Sequence, residues 1–227
     1  MFKNLMSAAL FLAAITVVPA QASVFLFASN VLDGGASSPG VDLGNVHTFT
    51  VNGMSITAQA FAITGSTPNL YGKNGGSDET GLGLTLNGDY EISTNDFLQI
   101  DFADPAVNNP KLWNVTQVRI QFASVQTGES WKLWGSNVAG TVPGASGSTK
   151  LLDSTHLADG ALPEDLLKIP SFSSYRYFSV TAGGTGGHNV LLGQVEITAE
   201  TPEPVTFVLI GGALLGLGLS SRKLRRA

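Results

Sequence analysis

Cysteine is absent from all 227 residues. Without it the chain has no disulfide, no thiolate metal site and no cysteine nucleophile, and its fold rests on apolar burial alone. Charge is scarce as well: Asp, Glu, Lys and Arg together make up 13% of the residues. That composition does not suit a helical enzyme rich in Glu, Lys, Ala and Leu. With 27 glycines it suits an all-β domain with many turns. There are 3 histidines, at positions 47, 156 and 188, and none lies in a recognisable catalytic motif. The Gly-x-Ser-x-Gly elbow of serine hydrolases is missing, since around Ser146 the spacing fails. Positive charge is thin where the chain is polar. Residues 23–201 hold seven Lys and Arg against sixteen Asp and Glu, a net charge of −9. Such a body repels phosphate backbones, which argues against nucleic acid as a partner.

Apolar residues are concentrated at both ends. Residues 1–22 have the parts of a secretory signal peptide: Lys3, an apolar run over 5–18, Pro19, then Ala20-Gln21-Ala22. Cleavage after Ala22 is expected, making Ser23 the first mature residue. Residues 205–221 form a run of seventeen without charge. As a helix it would span about 26 Å, the lower limit for a bilayer core. Arg222, Lys223, Arg225 and Arg226 follow, so the positive-inside rule places the C-terminus in the cytoplasm. Gly212 and Gly216 have the spacing at which membrane helices pack closely. Pro202 and Pro204, with Glu203 between them, keep the preceding backbone extended, as an accessible processing site requires.

Pro202-Glu203-Pro204, an apolar helix rich in Gly and Leu, and a terminal basic cluster follow one another at the extreme C-terminus. In this order they resemble the PEP-CTERM sorting signal of Gram-negative bacteria. The likeness covers residues 202–227. It departs from the usual pattern in having Thr201 before the motif and Val205-Thr206 after it. The resemblance implies recognition by an exosortase, an integral membrane cysteine transpeptidase that removes the helix and releases or attaches the mature protein. It also implies a transient inner-membrane anchor, then a place on the cell surface or outside the cell. The family's association with exopolysaccharide production points to the biofilm matrix, with exopolysaccharide as a further partner.

Between the two signals, apolar residues alternate with polar ones. Leu98, Ile100 and Phe102 do so, as do Val118, Ile120 and Phe122, Phe178 and Val180, and Val195 and Ile197. Further strands are expected at 24–28, 46–51, 55–63, 82–86 and 131–135. Period two with one apolar face predicts half-buried antiparallel strands. About nine of them predict an all-β domain over 23–200, an antiparallel β-sandwich or jelly roll flanked by the signal peptide and the C-terminal transmembrane helix. Residues 162–169, with Pro163, suggest one or two helical turns. Gly, Ser, Asn and Pro clusters predict loops at 33–40, 72–80, 105–110, 140–148 and 183–189. Two stretches, WKLWGSNVAGT (131–141) and NVLLGQVEITA (189–199), resemble strands of galactose-binding-like jelly rolls. DETGLGL (78–84), followed by Glu91-Ile92, resembles a pattern found in PEP-CTERM bodies.

The acids Asp78/Glu79, Asp89/Glu91 and Asp101/Asp104 lie in pairs, as glycosidase chemistry requires, but read better as solvated loop residues. No cofactor is expected; calcium is the alternative, because hard oxygen ligands from loops are common in extracellular β-sandwiches. Asp78, Glu79 and Glu91 are the candidate ligands, with Asp33 and Asp42 as further loop acids. Trp131 and Trp134 are three apart, so on a strand they face opposite sides. Trp134 is the candidate for stacking on a sugar. The expected function is a non-catalytic surface or extracellular-matrix protein processed by an exosortase-type system. The alternative is a carbohydrate-binding module, calcium-dependent or not, or a carbohydrate-active enzyme.

Overall fold

A computed structural model of the protein describes residues 21–27, 40–75, 79–86, 88–102, 114–154, 165–184 and 188–200. All of these belong to one compact unit, Ala20–Pro202. Ala20, Asp33, Asp78, Trp113, His156, the Pro202-Glu203-Pro204 motif and the terminal Arg222, Lys223, Arg225 and Arg226 lie outside the described residues, as does the apolar run 205–221. Among the described residues no helix is long and apolar enough to cross a membrane.

The chain runs through β1 (Gln21–Leu26), β2 (Gly40–Gly44), β3 (Val46–Val51), β4 (Met54–Ala62) and β5 (Leu70–Asn74). It continues through β6 (Thr80–Leu84), β7 (Asp96–Asp101), β8 (Asn114–Ala123), β9 (Trp131–Ser136) and β10 (Ser148–Asp153). Last come β11 (Leu167–Lys168), β12 (Tyr177–Ala182) and β13 (Leu191–Glu200). These strands form two antiparallel sheets, the expected sandwich. The seven-stranded sheet has the order β11-β8-β13-β6-β5-β2, with β1 on β13; the six-stranded sheet has the order β10-β9-β12-β7-β4-β3.

Alternation along each strand makes the core. From the six-stranded sheet, Phe49, Ile56, Leu98, Ile100, Trp131, Leu133, Phe178 and Val180 point inward. Phe25, Leu82, Leu84, Val118, Ile120, Phe122, Val195 and Ile197 face them from the other sheet. Trp131 stacks on Phe122 at 4.0 Å between ring centroids. Trp134 sits on the opposite face of β9, as the three-residue spacing predicts.

The glycines of the GLGL stretch have a packing reason. On β6, Leu82 and Leu84 enter the core. Gly81 and Gly83 turn outward. A Cβ at Gly83 would strike the Tyr90 carbonyl and come within 2.8 Å of Leu191 Cδ2. Only glycine lets the 88–92 segment lie against this strand. That segment is tied down by Ile92 and Val190, which exchange backbone hydrogen bonds of 2.8 and 3.0 Å.

Two sequence expectations change. The described part of 162–169 is not helical: Leu167 and Lys168 pair with Ile120 and Arg119 as β11, and the only 3-10 turn among the described residues there is Phe172–Ser174. The pairing wins because it adds an edge to β8, which a helical turn would leave open. The loop expected over 72–80 holds the end of β5 and the start of β6. Those strands pair from Leu70↔Leu84 to Asn74↔Thr80.

Candidate functional site

Side chains on the side of the six-stranded sheet away from the core form transverse rows. Thr57, Asp101 and Tyr177 stand side by side on β4, β7 and β12. The next row is Gln59, Gln99, Ser179 and Trp134. Phe61 and Phe97 make a third row and stack at 5.0 Å. The connection between β9 and β10 folds back over this face. Gly140 N–H donates to Gln99 Oε1 (2.8 Å), and the Gln99 amide donates to Ser179 Oγ (2.9 Å). Gln99 is thereby buried, with both ends of its amide occupied.

Beside that contact lies a depression of about 130 Å³, lined by Thr57, Gln59, Gln99, Asp101, Ala139 and Tyr177. Its floor is rigid. Arg176 donates from Nε and Nη2 to the two Asp101 oxygens, at 3.0 and 2.8 Å, and lies 4.9 Å from the Tyr177 ring centre. The hydrogen bonds to Asp101 hold the Arg176 pKa above its ordinary value. Thr57 shares a 2.9 Å hydroxyl contact with Thr48 of β3. With the Gln99 amide already engaged, the lining presents the Gln59 amide, a hydroxyl, a phenol and a carboxylate around one half-open hollow. Such groups suit a neutral, hydroxyl-rich ligand.

Trp134, the sequence's candidate for this chemistry, reaches the same face but is not a bare platform. It is half-buried, a Cβ on Gly144 would lie 3.7 Å from its ring, and its Nε1 is buried with no hydrogen-bond partner. Tyr177 lines the hollow instead.

The acids proposed for calcium have a different arrangement. Glu79 and Glu91 do converge, but on Lys73. The Lys73 ammonium lies 2.6 Å from Glu91 Oε1 and 3.1 Å from Glu79 Oε2. Ser124 Oγ also donates to Glu91 Oε1, at 2.8 Å. Burial pulls the Lys73 pKa down; the hydrogen bonds to Glu91 and Glu79 outweigh it and leave the pKa raised. The flanking residue Tyr90 and Ser124 itself have positive φ, 59° and 57°. That backbone cost is borne where Glu91, 5% exposed, is delivered to its partners. Tyr90 stacks on Tyr71 at 4.2 Å. The position a cation would take is filled by the protein's own lysine. Among the described residues no group of three or more potential metal ligands forms.

The other sequence candidates are dispersed. Asp42 accepts from Gly44 N–H (2.8 Å) and from the Asn69 amide (3.0 Å), which closes a turn. Asp89 meets Asn189 at 3.3 Å. His47 lies on β3 with its ring 4.7 Å from Phe49, and His188 precedes β13. Ala22 pairs with Thr198 and Ser23 with Ile197, and Ser23 is 1% exposed. Gln59, Gln99 and Arg176 were not anticipated. The polar half of the alternation at 98–102 was the only signal for two of the lining residues.

No family model, no curated protein and no solved structure matches the chain.

Proposed function

We propose that this protein is an exported, non-catalytic component of the cell surface or extracellular matrix, sorted by an exosortase-type transpeptidase. Residues 1–22 direct it across the inner membrane. Residues 205–221 hold it there until processing at Pro202-Glu203-Pro204. The carrying observation is the order of motif, apolar run and basic cluster at the C-terminus. The fold supports the reading in one respect. The sandwich occupies the interval between the two segments, with β13 ending at Glu200 and β1 starting at Gln21, two residues before the expected mature start at Ser23. Gln21 pairs with Ala199, so β1 begins and β13 finishes at the same end of one sheet. Ser23 is buried in that pairing, so a docked β1 would shield the expected cleavage site. Membership of the jelly-roll type with galactose-binding-like strands belongs to the same proposal.

Intact-mass measurement of the protein secreted by an exosortase-bearing host tests this. The expected species begins at Ser23 and lacks residues 205–227. A full-length chain at the cell surface overturns the reading. Neutral replacement of Arg222, Lys223, Arg225 and Arg226 is expected to abolish retention at the membrane.

The polar hollow on the six-stranded sheet favours a second reading, a carbohydrate-binding module for exopolysaccharide. Retention on immobilised polysaccharide, lost in Tyr177→Ala, supports it; equal retention of both forms rejects it. At Glu79 and Glu91 calcium would have to displace Lys73.

A further inference from the structure

We infer that the free edge of β3 pairs with β3 of a second copy of this chain. This goes beyond the sorting proposal and stands independently of it.

The hairpin geometry decides which backbone groups are free. Val51 and Met54 flank the two-residue turn Asn52-Gly53, whose φ values of 52° and 78° are both positive. In such a hairpin the flanking pair and every second pair beyond it exchange hydrogen bonds. The series continues through Phe49 with Ile56 and His47 with Ala58, and the Ala60 N–H donating to the Asn45 carbonyl at 3.0 Å confirms its phase. The N–H and C=O groups of Val46, Thr48 and Thr50 therefore point away from β4. Among the described residues nothing pairs with them, and β3 ends its sheet. Val46 is 51% exposed, and Thr48 and Thr50 are exposed. Their side chains are held upright by hydroxyl contacts to Thr57 and Ser55, at 2.9 and 2.8 Å.

Edges of this kind are usually blocked by charge. β10, the opposite edge of the same sheet, carries Lys150 and Asp153, while β2 and β11 at the ends of the other sheet carry Asp42 and Lys168. β3 carries none, and residues 43–72 contain no Asp, Glu, Lys or Arg. The body as a whole is strongly acidic, so two copies repel one another over most of their surface. They approach without that cost at a neutral edge. An antiparallel pairing centred on Thr48 is its own mirror under two-fold symmetry. It sets Thr48 against the partner's Thr48 and Val46 against the partner's Thr50, and forms about six interchain backbone hydrogen bonds. The two six-stranded sheets then become one continuous sheet.

The test compares the full-length chain in mild detergent with Thr48→Lys, by light scattering after size exclusion. The apolar end segments are identical in both, so a difference reports on β3. The wild type is expected at twice the 23.6 kDa chain mass and Thr48→Lys at the chain mass, with unchanged circular dichroism. A wild-type monomer, its edge covered by the chain's own segments, overturns the inference; so does a dimer that Thr48→Lys leaves intact. If Thr48→Lys misfolds, Thr48→Cys decides the matter in a chain with no other cysteine. A short bis-maleimide should link Thr48→Cys into dimers and leave Val138→Cys, exposed in the β9–β10 connection, monomeric. Equal linking of the two, or none at position 48, overturns the pairing.

Discussion

Glu91 and Asp101 each meet a cation, yet they sit in opposite settings. Glu91 is buried within the segment that lies against β6. Lys73 and Ser124 share one of its oxygens, and residues with positive φ deliver both Glu91 and Ser124. Asp101 lies at the rim of an open hollow, held by an Arg176 whose side chain is 41% exposed. In the first place the carboxylate closes the fold. In the second it leaves groups facing solvent, where a ligand can reach them. Burial, not residue type, separates a structural acid from one available for recognition, because a pair removed from water cannot lose one member cheaply.

That contrast can be broken from the buried side first. Ile120→Ala sets the scale for the apolar core. Ile120 is 1% exposed, and its truncation is expected to cost about 2 to 5 kcal/mol in urea denaturation. Lys73→Met comes next. It leaves Glu91 buried without its cation, and a loss of about 3 kcal/mol is expected, at the low end for a broken buried pair because Ser124 still donates. Stability equal to wild type would remove Glu91 from the structural class. The pKa of Lys73 is raised on folding, so its contribution is complete below pH 10.5 and is lost as pH rises through the higher folded value. Lys73→Met should lack that alkaline loss.

Asp96 sharpens the comparison by pH. It is 0% exposed; burial raises its pKa, while the Ser93 N–H, 2.6 Å away, works in the other direction. A raised carboxyl favours folding most below pH 3.8 and loses that advantage as pH rises through the folded value. Asp96→Asn keeps the acceptor for Ser93 and cannot ionise. Its midpoint relative to wild type should therefore climb from pH 3 to pH 7, read by thermal melts in matched buffers. A constant difference across that range would mean that folding leaves the Asp96 pKa unchanged. The smallest effect is expected on the open face. Gln59→Ala should change stability by no more than about 0.5 kcal/mol. Chelation of divalent cations should leave the melting temperature where it was, since Lys73 already serves Glu79 and Glu91. A drop on chelation would show that the folded protein holds a divalent cation.

Local pattern accounts for much of the fold and little of the site. Leu98, Ile100, Val118, Ile120, Val195 and Ile197 alternate strictly, and β7, β8 and β13 run through them. β5 was hidden because Gly72, Lys73 and Asn74 are poor strand formers. It is a strand because β2 and β6 pair with it on both sides. β10, Ser148–Asp153, lacked apolar alternation because it is an edge strand, and β11 is only two residues long. Glu79 and Glu91 were visible as candidate ligands of one cation, with Asp78. The lysine between them was not, since nothing in the spacing shows that position 73 faces the same way.

By itself the sequence determined the class of fold, the inward residues of most strands, the absence of cysteine chemistry and the two apolar ends that frame the body. These follow from composition and from the two-residue period of a strand, both of which are local properties. Only the tertiary structure decided who meets whom. Lys73 reaches Glu91 across 18 residues, Arg176 reaches Asp101 across 75, and Gln99 reaches Ser179 across 80. Strand order and register set those meetings. They are chosen by how two sheets bury their apolar faces together, a condition that many distant residues satisfy jointly and no short stretch records.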